Sequence, residues 1–192
     1  MKAEAPVVAR THGIVGLTTC ACLIAFYAAG EPFGIINDIG NALLGVLSAA
    51  LAWLLRTTTS LGTSSPTRRS VLFGVAVVGA VLTVVGTVLV VADITGFYLA
   101  GLWSSFGFAL IGVWLVGISR LGLPRLPRAA LVAGLVMLLG LVGVPGIVMG
   151  LDDMDNAPAW TFVAGLSWAG TYLLFPVWSL RLAGEDRTGR RS

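Results

Sequence analysis

Two residues of this chain, Ser167 and His12, carry the side chains that nucleophilic catalysis uses, a hydroxyl and a base. A serine becomes nucleophilic only when a base lies within hydrogen-bonding distance of it. His12 is the one histidine and stands at the start of the first apolar segment, whereas Ser167 lies in the opposite half of the last one. If both segments are helices that span the same layer, their depths differ by about 15 Å or more. We therefore expect no catalytic pair and no enzyme activity.

Ser167 lies within the tetrapeptide Gly165-Leu166-Ser167-Trp168. This tetrapeptide resembles the Gly-x-Ser-x motif of rhomboid intramembrane proteases, which have six spans. The resemblance covers four residues and implies a serine nucleophile, which the distance to the base excludes. We expect Ser167 to pack or to form an interhelical hydrogen bond.

Residue counts argue against metal and cofactor sites. One histidine cannot supply the paired ligands of an intramembrane haem, and Lys2, the sole lysine, lies outside every apolar segment. Cys20 and Cys22 are two positions apart, so on a helix they point about 200° away from each other and cannot face one site. We expect no cofactor and no bound metal, and we expect both cysteines to pack as small apolar residues.

Polar and aromatic side chains gather in one half of the second, fourth and sixth apolar segments. If these segments surround one axis, they form a shallow pocket with Asp38 as its one fixed charge. The residues that we expect to contact a ligand are Asp38, Asn41, Trp103, Ser105, Ser167, Trp168 and Tyr172. A simpler interpretation of Asn37 and Asp38 stays open, because both are favoured caps at a helix N-terminus.

The composition predicts the elements that hold these residues. Of the 192 residues 57% are apolar and 11% are charged, whereas about a quarter of the residues of a soluble domain are charged. Six apolar runs are long enough to cross a bilayer, at about 13–30, 36–55, 70–92, 97–119, 129–150 and 159–180. They lack period-two alternation, so we predict an all-α, polytopic membrane protein of six transmembrane helices, arranged as three helical hairpins in a single domain of residues 1–192.

The charges predict the orientation of these helices. All 12 basic residues lie in the terminal segments and in the second and fourth connections. They are Lys2, Arg10, Arg56, Arg68, Arg69, Arg120, Arg125, Arg128, Arg181, Arg187, Arg190 and Arg191. The other connections hold six acids: Glu31, Asp38, Asp93, Asp152, Asp153 and Asp155. By the positive-inside rule both termini are cytoplasmic and the acidic connections face outward.

The same charges predict the surroundings of the protein. The basic excess follows from orientation and does not indicate nucleic-acid binding, whereas the basic tail at 182–192 can attract anionic lipid headgroups. Residue usage that is rich in Arg, Ala, Val and Gly and poor in Lys points to a bacterium of high genomic GC content. We therefore expect a multi-pass protein of the bacterial inner membrane, with membrane lipid as its partner.

A weak internal repeat supports the three hairpins. In the second helix of each hairpin a glycine precedes a tryptophan by 13 positions: Gly40 and Trp53, Gly101 and Trp114, Gly165 and Trp178. A duplication would place the hairpins around an axis along the membrane normal, as in transporters with parallel repeats. Alternatively, the tryptophans form an aromatic belt at the inner membrane surface, which requires no duplication.

Glycines also mark one helix face. Gly140, Gly143, Gly146 and Gly150 in the fifth segment share a face without side chains, which allows close helix packing within the bundle or, alternatively, in a homo-oligomer or with a membrane partner. Two prolines, Pro145 and Pro176, are expected to kink the fifth and sixth segments.

Two functions remain open from the sequence. Because no Lys, Arg or Glu lies within a predicted span, we expect a non-enzymatic accessory or structural membrane module, since intramembrane charges usually mark functional pathways. The alternative is a small transporter, channel or binder for a neutral or amphipathic small molecule, with an outward-facing pocket.

Overall fold

The computed structural model describes residues 4–57, 65–121 and 126–188, with side chains up to 184, and this part of the chain contains helices and no strand. Six helices in it are long and apolar enough to cross a membrane, which confirms the six predicted spans. They are α1 (Ala5–Ala29), α2 (Phe33–Arg56), α3 (Pro66–Val91), α4 (Phe97–Arg120), span 5 (Pro127–Met149) and span 6 (Thr161–Gly184). Lys2, Arg125, Arg190 and Arg191 lie outside the described residues.

The six helices form a closed ring in chain order. Each helix packs against its neighbours in sequence, and α1 packs against span 6. Neighbouring helices run antiparallel. Along α1 the residue numbers rise while those of the contacted residues in span 6 fall, because Gly13 lies against Leu180 and Gly16 lies against Pro176. The ring therefore has two ends. We call the one with connections 30–32, 92–96 and 150–160 the acidic end and the other the basic end.

Glycines bring neighbouring helix backbones together. A Cβ atom on Gly79 of α3 would lie 2.5 Å from the carbonyl oxygen of Gly107 in α4, and a Cβ on Gly107 would lie 2.5 Å from the Gly79 oxygen. Gly112 of α4 and Gly134 of span 5 face each other in the same way, at 2.8 and 2.7 Å. Backbones this close gain van der Waals contact that any side chain would prevent, which is how membrane helices associate.

The predicted glycine face of span 5 points into the bundle. Gly140 lies against the Ser105 backbone, and Gly143 and Gly146 lie against Leu102 of α4. Three of the four glycines are thus covered within the chain. Gly150 ends the helix in the left-handed conformation, with φ 64°, where glycine lacks the steric penalty of other residues.

Spans 5 and 6 depart from α-helical geometry just before their prolines. In span 5 a 3₁₀ segment, Leu138–Gly143, lies between the α-helices Pro127–Met137 and Val144–Met149. In span 6 the short helices Thr161–Gly165 and Ser167–Ala169 are followed by a π-helical turn, Gly170–Leu174, and by an α-helix, Phe175–Thr188. Proline has no N–H and its ring collides with the carbonyl one turn earlier, so the irregular turns lie where Pro145 and Pro176 predict them.

Two sequence-based details need correction. Helix α1 begins at Ala5 rather than near residue 13, with a proline in its first turn, so Arg10 and His12 lie within the helix. The aromatic-belt interpretation stays a prediction for Trp53, which is 45% exposed, but Trp114 and Trp178 are 2% and 0% exposed. A belt residue must reach the membrane surface, and these two instead belong to the apolar core. Whether the hairpins are a duplication stays a prediction.

Candidate ligand-binding cavity

The acidic half of the ring encloses a cavity of about 170 Å³. Residues from α1, α2, α3, α4 and span 6 line it, so it occupies the inside of the ring rather than a cleft between two helices. The packed core, including Phe108, Ile111, Trp114, Phe175 and Trp178, closes the other half. The wall is mainly apolar, with a few polar groups that converge from α2, α4 and span 6, which is the usual composition of a small-molecule site.

Three of the polar side chains form a closed cycle of hydrogen bonds. The Tyr172 hydroxyl donates to Asn41 Oδ1 at 2.8 Å, Asn41 Nδ2 donates to Asn37 Oδ1 at 3.3 Å, and Asn37 Nδ2 donates to the Tyr172 hydroxyl at 3.2 Å. Asn37 Nδ2 also donates to the Thr19 carbonyl oxygen of α1 at 3.0 Å. The cycle joins α1, α2 and span 6, and Tyr172 enters it from the π-helical turn, a type of distortion frequent at functional sites.

Asp38 supplies the charge of the cavity. Its side chain is 9% exposed, and no hydrogen bond or ion pair to its carboxylate occurs within the described ranges. The Asp38 carbonyl oxygen accepts a hydrogen bond from Thr87 Oγ1 of α3 at 2.8 Å, which fixes the backbone beside the cavity. A carboxylate inside a membrane helix is costly unless it is paired or has a function.

The capping interpretation of Asn37 and Asp38 is wrong. Helix α2 begins at Phe33, so both residues lie in its second turn, where backbone amides already have helical partners. Glu31 caps the N-terminus of α2 instead, because its carboxylate accepts a hydrogen bond from the Ile35 amide at 3.3 Å. The predicted start of this helix, residue 36, is three residues too late. It therefore assigned the helix terminus to Asp38 instead of Glu31.

Aromatic rings form much of the remaining wall. Trp168 stacks on Tyr172, with 5.0 Å between ring centroids and 21° between planes. At the acidic end Phe26 of α1 contacts Phe97 of α4, with centroids 5.7 Å apart. These two helices are not neighbours in the ring, so this contact crosses its acidic end.

The connection 150–160 is fixed against α4. Asp152 accepts hydrogen bonds from the amide of Gly96, the residue just before α4, at 2.6 Å, and from the amide of Leu99, in the first turn of α4, at 3.2 Å. The Tyr98 hydroxyl donates to Thr161 Oγ1 and ties α4 to the start of span 6. Farther out, Asp153 accepts hydrogen bonds from Asn156 and the Asp155 amide, and these bonds lower the pKa of its carboxyl group.

Five of the seven predicted contact residues line the cavity: Asp38, Asn41, Ser105, Trp168 and Tyr172. Trp103 does not, because at about 100° per residue it points away from the helix side that carries Gly101, Ser104 and Ser105. Ser167 does not line the cavity either, and it is 1% exposed. Its hydroxyl has no hydrogen-bond partner among the described residues. Of the two predicted roles for Ser167, packing and an interhelical hydrogen bond, the described part of the chain shows the first.

His12 forms a second polar layer nearer the basic end. The Ser48 hydroxyl donates to the Leu44 carbonyl oxygen at 2.7 Å, so it can only accept from His12 Nε2, 3.2 Å away. His12 Nδ1 then accepts from the Ser179 hydroxyl at 3.0 Å. All three side chains are 0% exposed, so a substrate cannot reach this Ser–His contact, and the layer acts as a hydrogen-bonded link between α1, α2 and span 6.

Sequence reasoning missed the lining from α1 and α3 and the partners of His12. Leu23, Gly86 and Val90 line the cavity and carry no chemical signal in the sequence. The His12 contact did have a signal in the sequence, because in an antiparallel hairpin that turns at residue 30 position 12 faces position 48.

Comparison of the chain with models of protein families, with characterised proteins and with solved structures finds no match.

Proposed function

We propose that this protein binds a small amphipathic molecule in the cavity at the acidic end of its helix ring. The observation that carries the proposal is the cavity itself, about 170 Å³ with an apolar wall and converging polar groups. An engineered protein cavity of about 150 Å³ is large enough to bind benzene. The site thus has room for a ring or headgroup of that size. The sequence predicts no set of catalytic residues that would react with such a ligand.

We further propose the orientation given by the charges. The acidic end faces outward, both termini are cytoplasmic, and the helices group into three hairpins in a bacterial inner membrane. Reporter fusions at the C-terminus and in the connection 150–160 test this orientation. Activity at the C-terminus of a reporter that works only outside the cytoplasm would contradict it.

Two glycines provide a sharp test of the binding site. A Cβ at Gly101, which lines the cavity, would have nothing within 4 Å, and the same is true of Gly74, an exposed residue of α3. Gly101→Leu therefore fills cavity space without a collision at its Cβ, and Gly74→Leu is a matched control that adds the same side chain elsewhere in a helix.

The measurement is a thermal-shift screen of the purified protein against amphipathic and neutral small molecules. A ligand at about 100 times its dissociation constant stabilises the folded state by ~2.7 kcal/mol. We expect this shift in the wild type and in Gly74→Leu, and we expect its loss in Gly101→Leu. A shift that persists in Gly101→Leu would place the ligand outside the cavity and contradict the proposal.

A second candidate function is an accessory or structural membrane module. The observation that favours it is the close glycine packing between α3, α4 and span 5, which makes a rigid bundle without need of a ligand. A screen without any stabilising compound would favour this function. Co-purification from native membrane would then look for partner proteins or a second copy.

A further inference from the structure

We propose that the ligand is a lipophilic cation that enters sideways from the lipid, between α1 and span 6, and places its positive headgroup beside Asp38. This inference rests on the proposed function and adds to it the charge of the ligand and its route. Two independent observations carry it: the gap between the two helices, and the unpaired carboxylate among aromatic rings.

The gap follows from the way α1 and span 6 pack. Near the basic end Gly13 and Gly16 let α1 lie directly on Leu180 and Pro176. Towards the acidic end α1 packs on the π-helical turn but not extensively on the region 161–169 beyond it. The two helices are therefore close at one end and separate at the other.

The residues at this gap have the character of an opening. Tyr27 of α1 is 66% exposed and Phe162 of span 6 is 53% exposed, yet both line the cavity. On span 6, between Phe162 and Trp168, a Cβ at Gly165 would have nothing within 4 Å. We call the gap bordered by Leu23, Tyr27, Phe162, Gly165 and Trp168 the side opening.

The surface around the side opening is suited to lipid rather than water. Ile24 on α1 and Leu166 on span 6 flank it and are 67% and 60% exposed. At the end of the ring, the contact of Phe26 with Phe97 and the connection that Asp152 fixes on α4 lie across the structure. Phe97 and Met154 line the cavity there and are 37% and 49% exposed. This end adjoins the acidic connections, whereas the side opening faces apolar side chains, so a solute with an apolar chain reaches the cavity from the membrane through the side opening.

The inside of the cavity selects for positive charge. The Asp38 carboxylate has no hydrogen-bond or ion-pair partner in the described part of the chain, and a cationic ligand would supply the missing counter-charge. The rings of Trp168 and Tyr172 also line this space, and aromatic faces attract ammonium groups when water is excluded. A trimethylammonium group is smaller than benzene, which a cavity of ~150 Å³ accepts.

The volume of the cavity requires the rest of the ligand to lie in the side opening. A cavity of about 170 Å³ holds a headgroup but not a long chain. The chain of an amphiphile would extend past Phe162 and Gly165 into the surrounding lipid. The ligand class is thus a single-chain amphipathic amine or quaternary ammonium compound.

The test compares three probes that separate charge from chain. Decyltrimethylammonium carries both, decanol carries the chain alone, and tetramethylammonium carries the charge alone. Binding is measured by equilibrium dialysis against the full-length protein in phosphatidylcholine nanodiscs, with protein-free nanodiscs subtracted. We expect decyltrimethylammonium to bind more tightly than either of the other probes.

Two pairs of variants test the assigned residues. Asp38→Asn is expected to weaken decyltrimethylammonium binding at least about tenfold, equivalent to ~1.4 kcal/mol, and to leave decanol binding unchanged. Its matched control is Asp93→Asn, which removes the same charge at the same end outside the cavity. Gly165→Leu narrows the side opening and is expected to slow association of the decyl probe, whereas Gly74→Leu is not.

The outcomes separate this inference from the proposed function. Equal binding of decanol and decyltrimethylammonium, unaffected by Asp38→Asn but lost in Gly101→Leu, would keep the cavity as the site and overturn the cationic ligand. Tight binding of tetramethylammonium alone would indicate a water-soluble cation and overturn the lipid route. Failure of all three probes to bind would overturn the inference, and the broader thermal-shift screen would then decide the proposed function by itself.

Discussion

The hydrogen-bond cycle of Tyr172, Asn41 and Asn37 predicts a defined loss of stability when one hydroxyl is removed. Tyr172→Phe keeps the ring that stacks on Trp168 and deletes two hydrogen bonds, the donation to Asn41 Oδ1 at 2.8 Å and the acceptance from Asn37 Nδ2 at 3.2 Å. Interhelical hydrogen bonds in membrane proteins contribute about 0.6 kcal/mol on average and at most about 1.7 kcal/mol each. We therefore expect the free energy of unfolding to fall by about 1.2 kcal/mol, and by no more than about 3.4 kcal/mol.

The geometry divides this loss unequally. A distance of 2.8 Å is near the optimum for a hydroxyl donor, whereas 3.2 Å is at the long end for an amide donor. Asn37 Nδ2 also retains its second acceptor, the Thr19 carbonyl oxygen. Most of the effect should therefore come from the pair of Tyr172 with Asn41.

A double-mutant cycle of Tyr172→Phe and Asn41→Leu measures that pair directly. Unfolding is followed by circular dichroism in mixed micelles with increasing SDS. Tyr27→Phe is the control for the chemical change, because this ring is 66% exposed. A coupling energy below about 0.5 kcal/mol, the usual limit of additivity for independent sites, would contradict a stabilising hydrogen bond between Tyr172 and Asn41.

Three further changes have expected results. Gly107→Leu is expected to prevent the close approach of α4 to α3 and to unfold or aggregate the protein on size-exclusion chromatography, whereas Gly74→Leu, in open space, elutes as the wild type. Asp152→Ala removes the acceptor of the Gly96 and Leu99 amides at the start of α4. It should lower stability by about 1 kcal/mol and speed hydrogen exchange of those two amides. Asn156→Ala should raise the pKa of the Asp153 carboxyl group toward its ordinary value in an NMR titration; in the wild type the contribution of this bond to stability is lost only as the pH falls through the lowered pKa.

The six helices were predictable because span length and apolar composition are set by the solvent, and the bilayer tolerates only helices of sufficient length here. The start of α1 was not, because Arg10 and His12 look like the flank of a span. The structure continues the helix to Ala5, with Arg10 exposed and His12 buried. Burial of His12 depends on Ser48 and Ser179 from two other helices, which no local pattern of α1 contains.

The cavity was predictable in part. Asn37 and Asn41 are four residues apart, so their placement on one helix face follows from the sequence alone. The cycle closes only if Tyr172 of span 6 reaches these two residues across the inside of the ring at the same depth, which depends on tertiary packing. Ser167 illustrates the reverse case, because its position within a motif suggested a role and the packing places it outside the cavity lining.

The two kinds of packing divide the ring into halves with different properties. Contacts of α3, α4 and span 5 are made by glycine backbones, such as Gly79 with Gly107, which allow one close geometry and no other. Glycines of α1 and α2, such as Gly16 and Gly40, face the side chains of Pro176 and Thr19 rather than another glycine. Side-chain hydrogen bonds of His12 and Tyr172 join α1, α2 and span 6, and they can exchange partners without steric collision. The side opening lies in this second half, beside the irregular turns of span 6, and the cavity behind it is lined from both halves. Any movement that admits a ligand should therefore occur in α1 and span 6 while the glycine-packed half stays fixed.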